Sequence, residues 1–451
     1  MDTIVALATP EGRSAIAVIR LSGRDSLEIV SKLLIDENFS PKPRYASLRK
    51  IYDPETRELI DEAVVTYFKA PFSFTGEDIV EISCHGSPIV VRQILDACLK
   101  LEARMASPGE FSLRALMNGK MNLSQVEAIR DLIEAQTLAA AKQSLRQMQG
   151  ELSSLLQPLK EGLLEVIVIL ESALEFVEDD LPEYQMDEIK TKLYEIVKQI
   201  ERMSSTFKAG RLLREGLKIA LVGRPNVGKS SLFNALVGYE RAIVTEIAGT
   251  TRDSLHESFS INGIPIRLSD TAGLRKTDDI VESIGVQRTR KVIADADLVI
   301  FVVDCSQDLT KEDYEILSEI EDMQHLIAIN KVDIKQVELV EKFNGKNVVE
   351  VSAKTAQGVD DLRRAIIKPF LSRNSAAEEK GFLVTDARHA DLLIRAKKEI
   401  EKSLELLDQK ASEEIVLTGL HNAMRFLGEI TGETTTEDIL NRIFSTFCIG
   451  K

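Results

Sequence analysis

Residues 217–236, LKIALVGRPNVGKSSLFNAL, carry the strongest fold signal in this chain. The run KIALV is typical of a buried strand, the stretch from Gly223 to Ser230 fits the spacing G-x-x-x-x-G-K-[ST], and SSLFNAL opens a helix. Glycines in such a loop let backbone N–H groups surround phosphates, and the dipole of the following helix adds to the attraction. The segment therefore predicts a nucleoside triphosphate site within an α/β domain.

The phosphate side of this site is expected to involve further groups. The Lys229 ammonium would bridge the β- and γ-phosphates, and the Ser230 hydroxyl would ligate Mg²⁺. The run DTAG follows the strand-like IPIRLS, so the Asp270 carboxylate can reach the coordination shell of Mg²⁺. The Gly273 N–H can sense the γ-phosphate by contacting it. Leu274 comes next, where Ras-like enzymes carry a glutamine that orients the attacking water. Hydrolysis must therefore use another group, or be poor.

The base side of the site is predicted by two later motifs. The strand HLIAI runs into NKVD, which begins at Asn330 and ends at Asp333. The Asp333 carboxylate can accept from guanine N1–H and the exocyclic amine, whereas adenine would leave it unpaired. The Lys331 stem would cover the ring, and the SAK run from Ser352 to Lys354 would contact the guanine oxygen through its backbone. Four motifs in this order predict a GTPase.

Length and composition bound the class of protein. A chain of 451 residues suggests roughly two to four domains, and 44% hydrophobic with 29% charged residues is the balance of a soluble globular protein. The formal net charge of −15 argues against nucleic acid binding by bulk electrostatics alone. Four cysteines in so long a chain form no disulfide framework. No signal peptide is seen at the start of the sequence. The apolar run LLEVIVIL is too short to span a bilayer. We expect a cytoplasmic protein without a membrane segment.

The character of the sequence changes along the chain in a way that predicts an inserted domain. Runs such as TIVALAT and DIVEISCHG indicate mixed α/β structure first, and from about residue 122 the composition indicates long helices. Ser124 and Glu127 fit a capping box at the start of these helices, and a break is expected near EDDLPEY. Strands and helices alternate from about 215 to 372, after which helical composition returns. An α/β domain inserted into a helical domain explains this order; two separate helical domains are the alternative.

These motifs, together with TEIAGTTRD, DTAGLR, FTGEDIVEI and the terminal runs TIVALATPEGR and FCIGK, resemble the MnmE (TrmE) family of bacterial and organellar tRNA-modification GTPases. The resemblance covers essentially the whole chain, and it implies a multidomain fold with α/β and all-α parts. An N-terminal α/β domain for folate binding and dimerisation would span 1–118. A helical domain would come from two segments, 119–214 and 374–451, with a Ras-like P-loop GTPase domain, 215–373, inserted between them.

The resemblance also implies a potassium-activated, dimerising G domain. The K⁺ ion would supply transition-state charge where an arginine finger acts in other systems, and Glu282 would help to position water in place of the missing glutamine. On the residues alone, Glu282 would be a solvated helix residue. Lys229 and Glu282 are thus the expected catalytic groups of hydrolysis. The K⁺ ligands would be Asn226, Thr245, Ile247 and Thr250, and the Mg²⁺ ligands Ser230 and Thr251. The GTP contacts would be Asn226, Val227, Gly228, Lys229, Ser230, Ser231, Thr245, Glu246, Ile247, Ala248, Gly249, Thr250, Thr251, Asp270, Thr271, Ala272, Gly273, Asn330, Lys331, Val332, Asp333, Ser352, Ala353 and Lys354.

A second site is implied for a reduced folate, 5-formyl- or 5,10-methylenetetrahydrofolate, between the N-terminal domains of a homodimer. Arg20, Glu81, Lys120 and Lys451 match the family's ligand positions. A carboxylate suits the N–H edge of the pterin, and cations suit the glutamate tail and the formyl oxygen. On the residues alone, Arg20 at a strand end would more often be a surface residue.

Cysteines offer two further candidates. On the residues alone, Cys448 would be a core thiol at the end of the amphipathic run ILNRIFSTF. The resemblance instead places it beside the one-carbon chemistry, as a nucleophile or proton donor. Cys84 and His85 look like a catalytic dyad, but adjacent residues of a strand point to opposite faces, so we expect Cys84 in the core. No Cys/His set has zinc spacing.

The resemblance implies a GTP hydrolase that takes part in tRNA modification. With the flavoprotein MnmG, in a heterotetramer or a larger complex, it would add an aminomethyl or carboxymethylaminomethyl group at C5 of the wobble uridine. Hydrolysis would drive a conformational change, while the folate would supply the one-carbon unit. The alternative is a regulatory GTPase switch in ribosome assembly, whose flanking domains would be non-catalytic scaffolds.

Overall fold

The computed structural model describes residues 2–36, 38–175, 183–238, 256–270, 293–343, 347–370, 381–434, 440 and 443–450. The chain forms two compact units. The first contains residues 1–130, 147–164 and 421–451, and the second contains 131–146 and 165–420. Within the described residues, no helix is both long enough and apolar enough to cross a bilayer.

The first unit contains a six-stranded sheet in the order β3-β4-β5-β2-β1-β6. Neighbouring strands run antiparallel, except that β6 is parallel to β1. Apolar residues such as Val5, Ile19 and Leu21 alternate along the strands and pack against α1 and α2. The predicted runs TIVALAT and DIVEISCHG are confirmed as β1 and β5. The elements are β1 (Ile4–Leu7), β2 (Ile16–Ser22), α1 (Ser26–Leu34), β3 (Ala46–Tyr52), β4 (Leu59–Phe68), β5 (Ile79–His85), α2 (Pro88–Lys100), β6 (Arg104–Met105) and α3 (Glu110–Met117).

A second six-stranded sheet, in the order β12-β11-β10-β7-β9-β8, lies in the second unit. All neighbours are parallel except β8 and β9, which form an antiparallel pair. Every residue of Leu298–Asp304 is buried, as expected for a central strand covered on both faces. Because parallel strands end at one edge, the loops after β7, β10 and β11 meet there. The elements are β7 (Leu217–Val222), α9 (Lys229–Val237), β8 (His256–Ile261), β9 (Ile264–Asp270), β10 (Leu298–Asp304), α10 (Lys311–Ile320), β11 (His325–Asn330), β12 (Val348–Glu350) and α11 (Val359–Ile367).

Helices before and after this sheet in the chain pack together. Lys190 on α7 forms an ion pair with Asp408 on α12 at 2.6 Å, and Lys397 on α12 donates to Glu201 on α7 at 3.0 Å. This packing confirms that the α/β domain is inserted between helical segments. The expected break near EDDLPEY lies mostly outside the described residues. The helices are α4 (Leu123–Glu134), α5 (Leu138–Met148), α6 (Glu151–Glu175), α7 (Glu183–Ser205), α8 (Phe207–Glu215), α12 (Ala387–Asp408) and α13 (Glu413–Thr431).

The points at which the chain enters and leaves the inserted domain are joined by Arg214, near the end of α8. Its guanidinium pairs with Asp131 on α4 at 3.0 Å and with Asp386 at 2.5 Å. Asp386 caps α12 by accepting from the Arg388 N–H at 2.7 Å. Burial alone would raise the pKa of Asp386, but the electrostatic interactions with His389 and Arg214 and these hydrogen bonds hold it well below its usual range. We call Arg214, Asp131 and Asp386 the Arg214 clasp.

The capping box at the start of α4 differs from the sequence prediction, which named Ser124 and Glu127. The Asn122 side chain accepts from the Gln125 N–H at 3.0 Å, and the Gln125 side chain accepts from the Asn122 N–H at 3.0 Å. Asparagine caps as well as serine does, so the reciprocal pair forms two residues earlier. Ser124 instead lies inside the helix, where its hydroxyl donates to Asn122.

Candidate functional site

The loop after β7 has the backbone shape of a phosphate-binding loop. Gly223 and Gly228 have φ of 147° and 96°, and a Cβ at either would lie 2.3 Å from a neighbouring atom. The neighbour of Gly223 is the Val302 carbonyl oxygen, and that of Gly228 is the side-chain nitrogen of Asn330. Asn226 also adopts a left-handed conformation, with φ of 64°. The two glycines are therefore required both by dihedral angle and by space.

Lys229 is the first residue of α9, and its side chain folds back into this loop. Its Nζ donates to the carbonyl oxygens of Gly223 at 2.7 Å and Arg224 at 2.6 Å, and the residue is 7% exposed. Ser230 and Ser231 follow in the first turn of the helix. The ammonium and the N-terminus of the helix thus meet at the loop, which is the arrangement that binds phosphates.

Asn330, at the end of β11, joins this loop to the second guanine motif. Its Nδ2 donates to the Val227 carbonyl oxygen at 2.8 Å, and its Oδ1 accepts from the Ala353 N–H at 3.0 Å. The Ser352 hydroxyl donates to Asp333 Oδ1 at 2.7 Å. The structure therefore brings together the three motifs GRPNVGKS, NKVD and SAK. The sequence predicted Asn330 only as a nucleotide contact; its role in linking the two loops appears only in the fold.

Several predicted site residues lie outside the described residues. The backbone of Asp270 is described at the end of β9, where it pairs in register with Leu221 of β7, beside the phosphate loop. Val332 and Lys354 lie in the described loops at the same edge of the sheet. The residues outside are Thr245, Glu246, Ile247, Ala248, Gly249, Thr250, Thr251, Thr271, Ala272, Gly273, Leu274, Glu282 and Lys451.

Arg20 and Glu81 lie opposite each other on β2 and β5 of the first sheet. Arg20 Nε and a terminal nitrogen contact the same oxygen, Oε1 of Glu81, at 2.9 and 2.8 Å. The guanidinium also lies 5.7 Å from the ring centroid of Phe74 and 5.8 Å from that of Phe111. Arg20 is thus held between two aromatic rings and a carboxylate, rather than being the surface residue that its sequence context suggested. Neither phenylalanine was predicted, because both lie far from Arg20 in the sequence.

Lys120 follows α3 in the same unit. Its Nζ donates to the Pro71 carbonyl oxygen at 2.8 Å, and its side chain lies 3.2 Å from the position that a Cβ on Gly76 would take. Phe74, which contacts Arg20, belongs to the same loop. The structure therefore connects Lys120 and Arg20 through one short loop.

The C-terminal segment reaches the same group of residues. Arg20 donates to the Gly450 carbonyl oxygen at 3.4 Å, and a Cβ at Gly450 would lie 2.4 Å from the Leu7 carbonyl oxygen. Phe447 is buried, whereas Cys448 is exposed and its carbonyl oxygen accepts from the Gly109 N–H at 3.4 Å. The core-thiol interpretation of Cys448 is therefore wrong: in the final turn the phenylalanine, rather than the cysteine, enters the core.

The other cysteines, Cys84, Cys98 and Cys305, are buried. Burial raises the pKa of the Cys84 thiol to about 11 and that of Cys98 to about 12, so both stay neutral at physiological pH. His85 points away from Cys84 and its Nδ1 lies 2.7 Å from Asp61 Oδ1. The prediction of opposite faces is confirmed. Across the described ranges, no cluster of three or more His, Cys, Asp or Glu side chains could hold a metal ion.

Comparison with known proteins covers the whole chain. The family model for the GTP-binding protein TrmE N-terminus matches residues 3–120, and that for the MnmE helical domain matches residues 123–448. The tRNA modification GTPase MnmE of Aquifex aeolicus (strain VF5) is 46% identical over 451 residues, which is 100% of both chains. The protein of the same name from Koribacter versatilis (strain Ellin345) is 43% identical, over 100% of this chain and 99% of that one. Among solved structures, the G domain of the T. maritima FeoB iron transporter is 31% identical over 34% of this chain and 97% of its own length, with a TM-score of 0.27.

Proposed function

The chain belongs to the MnmE (TrmE) family and is a GTP hydrolase that takes part in tRNA modification, and we propose that its two sites serve one reaction on the wobble uridine. GTP hydrolysis in the inserted domain drives a conformational change. A reduced folate, bound beside Arg20, supplies the one-carbon unit added at C5. The proposed folate site rests on one observation: Arg20, Glu81 and the C-terminal segment lie together in the first unit.

In the proposed GTP site, each group of residues has its own role. Lys229 and the N-terminus of α9 bind the phosphates, and Ser230 holds Mg²⁺ together with Thr251. Asp333 and Lys331 bind the guanine. In support, the Ser352 hydroxyl already orients the Asp333 carboxylate, and Asn226 and Gly228 have the left-handed backbone that anion-binding loops use.

Potassium activation is the next part of the proposal. Asn226, with the backbones of Thr245, Ile247 and Thr250, would hold K⁺ in a G-domain dimer, where the ion would supply positive charge for the transition state. Glu282 positions the attacking water in place of the glutamine that Leu274 replaces. Hydrolysis should be faster in KCl than in NaCl at equal ionic strength, and Glu282→Gln should lose that activated rate. Unchanged potassium-stimulated hydrolysis in Glu282→Gln would remove Glu282 from the mechanism.

The donor set near Arg20 fits a reduced folate. A pterin presents an N–H edge that a carboxylate can accept from, and its ring can lie against aromatic side chains such as Phe74. Glu81 supplies the carboxylate, while Lys120 and Lys451 supply positive charge for the glutamate tail or the formyl oxygen. When bound, the folate would supply the one-carbon unit: 5,10-methylenetetrahydrofolate carries it at the formaldehyde oxidation level of an aminomethyl carbon, whereas the formyl group of 5-formyltetrahydrofolate would first need a two-electron reduction, with the flavoprotein MnmG as the reductant. Cys448, exposed beside this site, acts as nucleophile or proton donor.

Partners and domain limits complete the proposal. The N-terminal domain, 1–118, dimerises, and the helical segments 119–214 and 374–451 precede and follow the inserted G domain, 215–373, in the chain. The cytoplasmic homodimer works with MnmG and tRNA. With a formal net charge of −15, the chain leaves most of the RNA contact to that partner.

Folate binding tests the proposal directly. In equilibrium titration of the full chain with 5-formyltetrahydrofolate, wild type should bind and the double variant Arg20→Ala/Glu81→Ala should not, while both should bind GTP equally. Asp61→Ala, which removes the exposed pair with His85, is the matched control and should keep folate affinity. Folate binding retained by the double variant would refute the site. Absence of folate binding in wild type would favour a GTPase switch with non-catalytic flanking domains.

A further inference from the structure

A buried carboxylate lies behind the guanine motif, on the neighbouring strand. Asp304 is the last residue of β10 and pairs in register with Asn330, the last residue of β11. Its side chain is 3% exposed, and its Oδ2 lies 2.6 Å from the Nζ of Lys331. None of the four nucleotide motifs contains Asp304.

The other oxygen of this carboxylate is also fixed. Asp304 Oδ1 accepts from the Ser306 N–H at 2.8 Å and from the Ser306 hydroxyl at 2.6 Å. Burial alone would raise the pKa of Asp304, but these contacts and Lys331 lower it, so the carboxylate is charged at neutral pH. Oδ2 is therefore presented to Lys331 in one fixed direction.

Lys331 is the more exposed partner and has an unusual backbone. Its side chain is 31% exposed, and its φ of 68° lies in the left-handed region, which a long side chain seldom adopts. This backbone turns the chain between Asn330 and Asp333. A lysine stem has four rotatable bonds, and holding it flat over a base costs side-chain entropy unless its end is fixed. Asp304 fixes that end.

We propose that Asp304 is a positioning residue for guanine recognition, which anchors the Lys331 ammonium so that the lysine stem lies over the base. The inference rests on the proposed guanine site. The Lys331 stem is then already ordered before the nucleotide binds, so binding loses less side-chain entropy. The anchor therefore raises nucleotide affinity and does not change the rate of the hydrolysis step. Asp304 does not contact the nucleotide; it acts through Lys331.

The test is a double-mutant cycle on the full chain, measured by GTP titration and by steady-state hydrolysis. Asp304→Asn should raise Kd and KM for GTP about tenfold, the order expected for loss of a charge-assisted hydrogen bond, with kcat within about twofold. Lys331→Met keeps an unbranched apolar stem without the charge. In that background Asp304→Asn should add less than about twofold, because the two side chains act as one unit.

Controls separate this effect from misfolding and from failure of the site itself. Asp308→Asn is the matched control: it makes the same change in the same loop, removes only an exposed ion pair with Lys342, and should change Kd by less than about twofold. Where Asp304→Asn does not accumulate as folded protein, Asp304→Glu, which keeps the charge but displaces it, should give the same rise in KM. Asp333→Ala tests the proposed guanine site: if it leaves GTP affinity intact, that site and this inference both fail.

If Asp333→Ala weakens GTP binding but Asp304→Asn does not, only the anchoring role of Asp304 is overturned. A tenfold effect of Asp304→Asn that persists in the Lys331→Met background would likewise overturn it, because Asp304 would then act on the fold rather than through the lysine.

Discussion

Replacing Asn330 by alanine should uncouple the phosphate loop from the guanine loop. Asn330 is 2% exposed, and its amide makes two hydrogen bonds to backbone groups of different loops, Val227 O and Ala353 N. Alanine would leave both groups unpaired, at about 1–3 kcal/mol each. Water that enters the opened site would recover part of this, so we expect the inserted domain to lose about 2–4 kcal/mol of unfolding free energy.

Nucleotide affinity should fall with stability, since Asn330 holds both loops that contact GTP. Native-state hydrogen exchange of the full chain is the assay, because it separates the inserted domain from the rest. Amides of β7, β10 and β11 should lose protection in Asn330→Ala, whereas amides of β2 and β5 should not. Asn422→Ala on α13 is the matched control and should change neither protection nor GTP affinity. Full protection together with lost GTP binding would show instead that Asn330 is only a ligand contact and does not hold the two loops together.

The Arg214 clasp and the cysteines give three further predictions. Arg214→Met should lower the unfolding free energy of the second unit by about 2–4 kcal/mol in chemical denaturation, because it removes the guanidinium that pairs with two largely buried carboxylates, Asp131 and Asp386. Lys218→Met, a control on the exposed face of β7, should have little effect. Because the pKa of Asp386 in the folded protein lies below that of an unfolded carboxyl, the stability that this carboxylate contributes is present above about pH 4 and is lost as the pH falls through the lower, folded pKa. The destabilising effect of Arg214→Met should therefore shrink in acid. A constant effect from pH 7 to 3 would contradict the pairing of Arg214 with an ionised Asp386. Maleimide at pH 7 should label Cys448 first, because the other three thiols are buried and burial raises the pKa of Cys84 to about 11. Peptide mass spectrometry that found Cys84 labelled as fast as Cys448 would contradict this order of labelling.

The inserted domain could be predicted because its signals are local. A buried run followed by G-x-x-x-x-G-K-[ST] specifies strand, loop and helix within twenty consecutive residues, here 217–236. The positive φ angles at Gly223 and Gly228 are what the motif requires. The alternation of apolar residues likewise predicted β1 and β5 correctly.

Long-range contacts could not be predicted from the residues alone. Arg20 is enclosed by Phe74, Phe111 and the carbonyl of Gly450, which the fold brings together from three distant segments. Nothing in the local sequence distinguishes such an arginine from a surface arginine. The pairing of Asp304 with Lys331 depends in the same way on the order of strands in the sheet. The available signal was an aspartate at the end of an otherwise apolar strand.

A nucleoside profile of tRNA from a strain that lacks this chain is the most direct test of the proposed function. The C5 modification of the wobble uridine should be absent in that strain, and wild type should restore it. Neither Lys229→Ala, which should not hydrolyse GTP, nor Cys448→Ser, which should hydrolyse it at a near-normal rate, should restore the modification. Normal modification in the deletion strain, or full restoration by both variants, would show that the chain does not make this modification through its two proposed sites.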